Sequence, residues 1–157
     1  VKRLLASRSL RIALSASSLA FVLSACDERV EAEYASLNEA RAAGAVERGW
    51  IPLFVPDSAF AIRDTHDLDT SRQTLRFSVP TQTAIAMAAA QTPIPSGQME
   101  SVRTSLSKAG WSGEGPGVRI LAVCRVGDEG YLAVDTASGR ALYLREPHDK
   151  PSVCAEP

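Results

Sequence analysis

Three short apolar-rich runs close the chain: "VRILAVCRV" (118–126), "GYLAVD" (130–135) and "RALYLRE" (140–146). The connections "GDEG" and "TASG" between them carry the residues that tight turns need, so the pattern predicts an antiparallel meander. Further upstream, Leu75, Phe77 and Val79 alternate with Thr74, Arg76 and Ser78, while Phe60, Ile62 and Leu68 supply apolar positions before them. That stretch, 58–80, predicts a β-hairpin with "DTSRQ" as its connection and Pro80 as its stop.

Other stretches follow a helical period. Val30, Tyr34, Leu37 and Ala40 are spaced for one helix face, with Glu28, Glu31, Glu33 and Glu39 elsewhere. The spacing predicts an N-terminal helix over about 28–48, interrupted at Gly44 and stopped by Gly49 and Pro52. "TQTAIAMAAA" (81–90) predicts a short helix from its alanine content, and Met99, Val102 and Leu106 predict another that ends at Gly110. "GWSGEGPG" (110–117) has four glycines but no preceding strand and no lysine of a phosphate loop, so it reads as turns. The expected fold is α+β: an N-terminal helix, a hairpin, short helices, and a three-stranded meander forming one sheet with helices on one face.

The first 26 residues are of another kind. Lys2, Arg3, Arg8 and Arg11 precede the apolar run "IALSASSLAFVL" (12–23), which is followed by Leu23-Ser24-Ala25-Cys26. A basic start, an apolar run too short to span a bilayer and small residues before a cysteine are the parts of a secretory leader. Leu23-Ser24-Ala25-Cys26 resembles the lipobox of bacterial lipoproteins. The resemblance implies a signal peptide over 1–25, acylation of Cys26, and a mature domain, 26–157, anchored by lipid on the periplasmic side of a cell membrane. Two or three acyl chains, palmitate among them, give the stable anchoring that one chain cannot. Asp27 after the cysteine resembles an inner-membrane retention signal. "RGWIP", "VPDSAFAI", "HDLDT" and "YLAVD…SGRALYL" are similar to small lipoproteins of proteobacteria, which implies an envelope location and carries no activity with it.

Charge and cysteine count follow from that leader. The whole chain has a net charge of −1, but the four leader cations hide a split: 13 of the 17 basic residues remain against all 18 acids, a net of −5. So acidic a domain lacks the basic patches that nucleic-acid binding requires, and charge alone would not hold it on anionic lipid. Three cysteines leave one over in an exported protein. With Cys26 acylated, Cys124 and Cys154 remain to form a structural disulfide that ties the tail to the sheet.

Candidate chemistry is thin. "RDTHDLDT" puts Asp64, His66, Asp67 and Asp69 within six residues, the types needed for a metal or acid–base site. On a strand, Asp64 and His66 share one face and Asp67 and Asp69 the other, unless a turn intervenes; the plain alternative is a hairpin end whose Asp and Thr satisfy turn amides. His148 beside Asp149 is the second histidine, and no GxSxG elbow accompanies either. "GWIPLFVPDSAFAI" (49–62) reads either as a packed crossing loop or as a docking patch through Trp50 and Phe54. Arg119 and Arg125, on one face, would suit a carboxylate or sugar acid; otherwise they are a solvated strand face. No cofactor is implied. The sequence thus points to a non-enzymatic binding module near the membrane, with an envelope protein or cell-wall partner. An inhibitor or immunity-type lipoprotein is the sharper version, and a metal-assisted enzyme centred on the Asp64–Asp69 cluster is the rival.

Overall fold

The structure is a computed structural model that describes residues 29–147 and Cys154. The leader, Cys26, Asp27, His148 and Asp149 lie outside the described residues.

Among the described residues seven strands form one antiparallel sheet in the order β1-β2-β3-β7-β6-β5-β4. They are β1 Arg29–Ser36, β2 Phe60–Asp67, β3 Gln73–Ser78, β4 Thr92–Pro93, β5 Val118–Val123, β6 Gly130–Asp135 and β7 Arg140–Arg145. The helices are short: α1 Leu37–Ala42, α2 Thr81–Ala89 and α3 Met99–Lys108, with a 3-10 turn at Ser96–Gln98 before α3. Among the described residues no helix is long and apolar enough to cross a membrane.

The expected α+β fold is therefore overturned, and the largest correction is at the N-terminus. Residues 29–36 are a strand, not the start of a helix. Val30, Ala32 and Tyr34 are half-buried while Arg29, Glu31, Glu33 and Ala35 are exposed, a period of two. Val30 and Tyr34 satisfy helical spacing too, and only pairing with β2 decides between the periods. The helix begins at Ser36, whose hydroxyl accepts from Glu39 N at 3.3 Å, while Glu39 Oε2 accepts from Ala35 N at 2.7 Å. This reciprocal arrangement is close to a capping box and starts α1 at Leu37, about two turns before Gly44.

The second correction concerns layers. Helices and loops cover both faces of the sheet, not one. On the first face α1, α2 and the 43–59 loop bury Ile62, Leu75, Phe77, Leu132, Val134 and Tyr143. On the second, α3 packs Val102 and Leu106 against Ala122, Ala133, Leu142 and Leu144. The central strands β6 and β7 are buried on both sides, which is why "LAV" and "ALYL" run apolar without alternation. The hairpin strands and the last three strands belong to this one sheet, joined where β3 pairs with β7 from Gln73↔Arg145 to Ser78↔Arg140.

Candidate functional site

Sheet register builds a polar cluster at one end of the first face. Val30, His66, Gln73 and Arg145 lie in one cross-strand row, and Ala32, Asp64, Leu75 and Tyr143 in the next. Asp64 and His66, two positions apart on β2, point to the same face and are both buried. His66 Nδ1 is 2.6 Å from Asp64 Oδ2, and Gln73 Nε2 donates to Asp64 Oδ1 at 2.6 Å. Gln73 Nε2 also donates to the backbone carbonyl of Trp50, so its two hydrogens are spent on β2 and on the crossing loop. The Trp50 ring lies 4.7 Å from the His66 ring, and the Arg48 guanidinium sits 4.1 Å from the Trp50 centroid on the outer side.

Both Asp64 oxygens are hydrogen-bonded, but the cluster is not closed. His66 Nε2 and Gln73 Oε1 are buried and have no hydrogen-bond partner. Buried polar atoms of this kind are uncommon, because each forfeits its hydration without replacement. Burial pushes the Asp64 carboxyl above the usual carboxylate range, against the pull of Gln73, His66 and Arg145. A cavity of about 180 Å³ adjoins the cluster, lined in part by Arg48, Trp50, His66, Gln73 and Arg145.

Next to it, Arg145 is fixed by the turn that joins β5 to β6. Its Nη2 donates to Gly127 O at 2.8 Å and pairs with Asp128 Oδ1 at 3.4 Å, and its Nε donates to the Tyr143 hydroxyl at 3.3 Å. The Tyr143 hydroxyl donates toward the carbonyls of Asp128 at 2.9 Å and Glu129 at 3.2 Å. Burial pushes the Tyr143 phenol up to about 12. Asp128 Oδ2 accepts from Leu53 N at 3.0 Å and so ties the crossing loop to the same turn.

The four residues proposed for metal do not assemble. Asp67 Oδ1 accepts from the amides of Asp69 at 3.0 Å and Thr70 at 2.9 Å, an Asx turn that holds its carboxyl below the usual range. Asp69 is exposed beyond it. Among the described residues no three His, Cys, Asp or Glu side chains are grouped to hold a metal ion. Asp64 and His66 alone come together.

The proposed contact residues are placed differently. Trp50 and Phe54 are half-buried against the core, with Phe54 edge-on to Tyr143 at 5.2 Å, so both rings pack the crossing loop onto the sheet. Arg119 lies near the start of β5, with Nη1 donating to the carbonyls of Pro116 at 2.6 Å and Val118 at 3.0 Å. Arg125 lies past the end of β5, so roughly 20 Å of strand separates the two and they form no clamp. Cys124 and Cys154 are at disulfide distance, with Cα atoms 5.3 Å apart.

Gln73, Asp128 and Tyr143 were not singled out by sequence. Gln73 lay in a stretch read as a connection, and the others gain their role only from strand register. On the opposite sheet face a second cavity, of about 330 Å³, is lined by Arg29, Arg72, Arg76 and Lys108 along with Thr65 and Thr74.

No curated protein and no solved structure matches the chain. Residues 28–78, less than half of the chain, match the family model of the YbbD head domain, a family of bacterial envelope proteins.

Proposed function

We propose that the protein is a lipid-anchored binding module of the bacterial envelope, held on the periplasmic side of the membrane by acyl chains on Cys26 and free of enzymatic activity. The YbbD head match supports the envelope location. The observation that carries the binding role is the pair of unpartnered buried atoms, His66 Nε2 and Gln73 Oε1, on neighbouring residues beside one cavity. With Nδ1–H given to Asp64, a neutral His66 presents a lone pair at Nε2, and Gln73 Oε1 presents a second acceptor. A ligand or partner side chain with N–H or O–H donors satisfies both, and Arg48 and Arg145 at the cavity favour a negative group on the same ligand.

Native mass spectrometry of the full-length protein, extracted gently from its own membrane, tests this reading. An acylated chain of residues 26–157 with a stoichiometric companion, lost in a His66→Ala variant, is the expected result. An acylated chain with a stoichiometric metal ion would replace the binding role with a metal-assisted enzyme. A chain without acyl groups would remove the anchor.

A further inference from the structure

The strand directions place one set of turns at the end where the chain enters the sheet. β1 begins at Arg29, which pairs with Asp67 at the end of β2. The β2–β3 turn (68–72) is therefore at that end, and so is the close of β7, since Gln73 pairs with Arg145. Leu144 pairs with Tyr131 near the start of β6, which puts the β5–β6 turn (124–129) there as well. Leu53 joins them through the hydrogen bond that its backbone N–H donates to Asp128 Oδ2.

Five large apolar side chains are exposed among the described residues, and three of them sit at this end: Leu53 at 61%, Leu68 at 55% and Val126 at 95%. They project from three separate loops. At the opposite end of the sheet the turn Thr136 to Gly139 carries only small and polar residues, and Phe60, at the start of β2, is a single exposed apolar side chain there. Single exposed apolar residues are ordinary, but here their placement coincides with the chain's entry point. Charge at the tips is balanced, with Arg72 and Arg125 against Asp69 and Glu129, all exposed.

We infer that this end of the sheet docks on the lipid bilayer, with Leu53, Leu68 and Val126 seated in the interface. The inference rests on the acylated Cys26 proposed above. Only Asp27 and Glu28 lie between Cys26 and Arg29, and three steps of chain reach at most about 11 Å. A lipid on Cys26 therefore holds the start of β1 at the membrane surface, and the tips beside it meet the bilayer rather than water. Apolar burial at the interface adds to an acyl anchor, whereas balanced charge adds nothing for anionic headgroups. Docking this way also turns the mouth of the His66 cavity, lined by Leu68 and Arg48, toward the membrane.

The test is photocrosslinking of the full-length protein, purified from membranes and reconstituted in phosphatidylcholine vesicles. The photoreactive residue p-benzoylphenylalanine replaces Leu68, Val126 or Ala137, all exposed positions. Lipid adducts at 68 and 126 and their loss at 137 are expected. Any other pattern on a chain whose mass includes acyl groups overturns the docking and leaves the anchor standing. A mass without acyl groups removes the tether, and the docking falls together with the anchor.

Discussion

His66 Nδ1 lies 2.6 Å from Asp64 Oδ2, two positions apart on one strand and both buried, so the imidazole is oriented from behind by a carboxylate. The arrangement fixes which ring nitrogen is left over, and it makes the stability of the fold sensitive to the state of Asp64.

The Asp64 carboxyl is raised above its ordinary value of 3.8 by burial. In the window just above that value the folded state holds a proton that the unfolded state has lost, so stability falls as pH rises through it. Asp67 and Asp135 are depressed, and the stability they supply is present above the ordinary value and lost as pH falls. Asp64→Asn is expected to gain stability relative to the wild type as pH rises from the acid side to neutrality. Denaturant midpoints measured across that range check it; a constant difference between the two proteins would show that Asp64 titrates normally.

Tyr143 behaves in the same sense at the other end of the scale. With its phenol pushed up to about 12, the native state keeps the proton that the unfolded chain sheds near 10, so stability drops above pH 10. Tyr143→Phe is expected to cost about 1 kcal/mol at neutral pH through lost hydrogen bonds to the turn carbonyls, and to show a shallower alkaline decline. Urea denaturation at neutral and alkaline pH gives both numbers.

Cys124 and Cys154 are separated by 30 positions. Closing a loop of that size stabilises the fold by roughly 3–4 kcal/mol in the chain-entropy account. A reductant is expected to lower the wild-type denaturation midpoint and to leave a Cys124→Ala/Cys154→Ala double variant unmoved. An equal response in both would mean that the pair is not bonded.

Gly139 has φ +75°, and a Cβ there would lie 1.9 Å from the Val79 carbonyl oxygen. Val79 N also donates to Gly139 O at 2.9 Å, so the turn and the end of β3 are clasped together. Gly139→Ala is expected to cost at least about 2 kcal/mol, combining left-handed strain with a backbone clash. Thermal denaturation with unchanged disulfide content is the check, and a melting temperature equal to that of the wild type would refute the clasp.

How much of this was legible in the sequence depends on the range of the interaction. The alternation of Leu75 and Phe77 marks β3 without help, and the i, i+2 spacing of Asp64 and His66 puts them on one face. Their burial was not legible, because it needs Gln73 from the next strand and Trp50 from a loop sixteen positions upstream of His66. The N-terminal strand was hidden because Val30 and Tyr34 fit both periods, while the Ser36–Glu39 cap that starts α1 was there to be read. The two-sided sheet also left a signal: the unbroken apolar runs of β6 and β7 fit burial on both faces better than a sheet with one solvated face.

The pairing of β3 with β7 has a consequence for the order in which the protein can mature. The matched segment ends at Ser78, the last residue of β3, and the partner of that strand is Arg140–Arg145. A chain emerging N-terminus first completes three strands long before that partner appears. Until it does, β3 offers a row of unpaired amides and carbonyls flanked by Leu75 and Phe77, the kind of edge that recruits foreign strands. The growing chain therefore passes through an interval in which this edge is open to mispairing, and the arrival of β7 is what ends it.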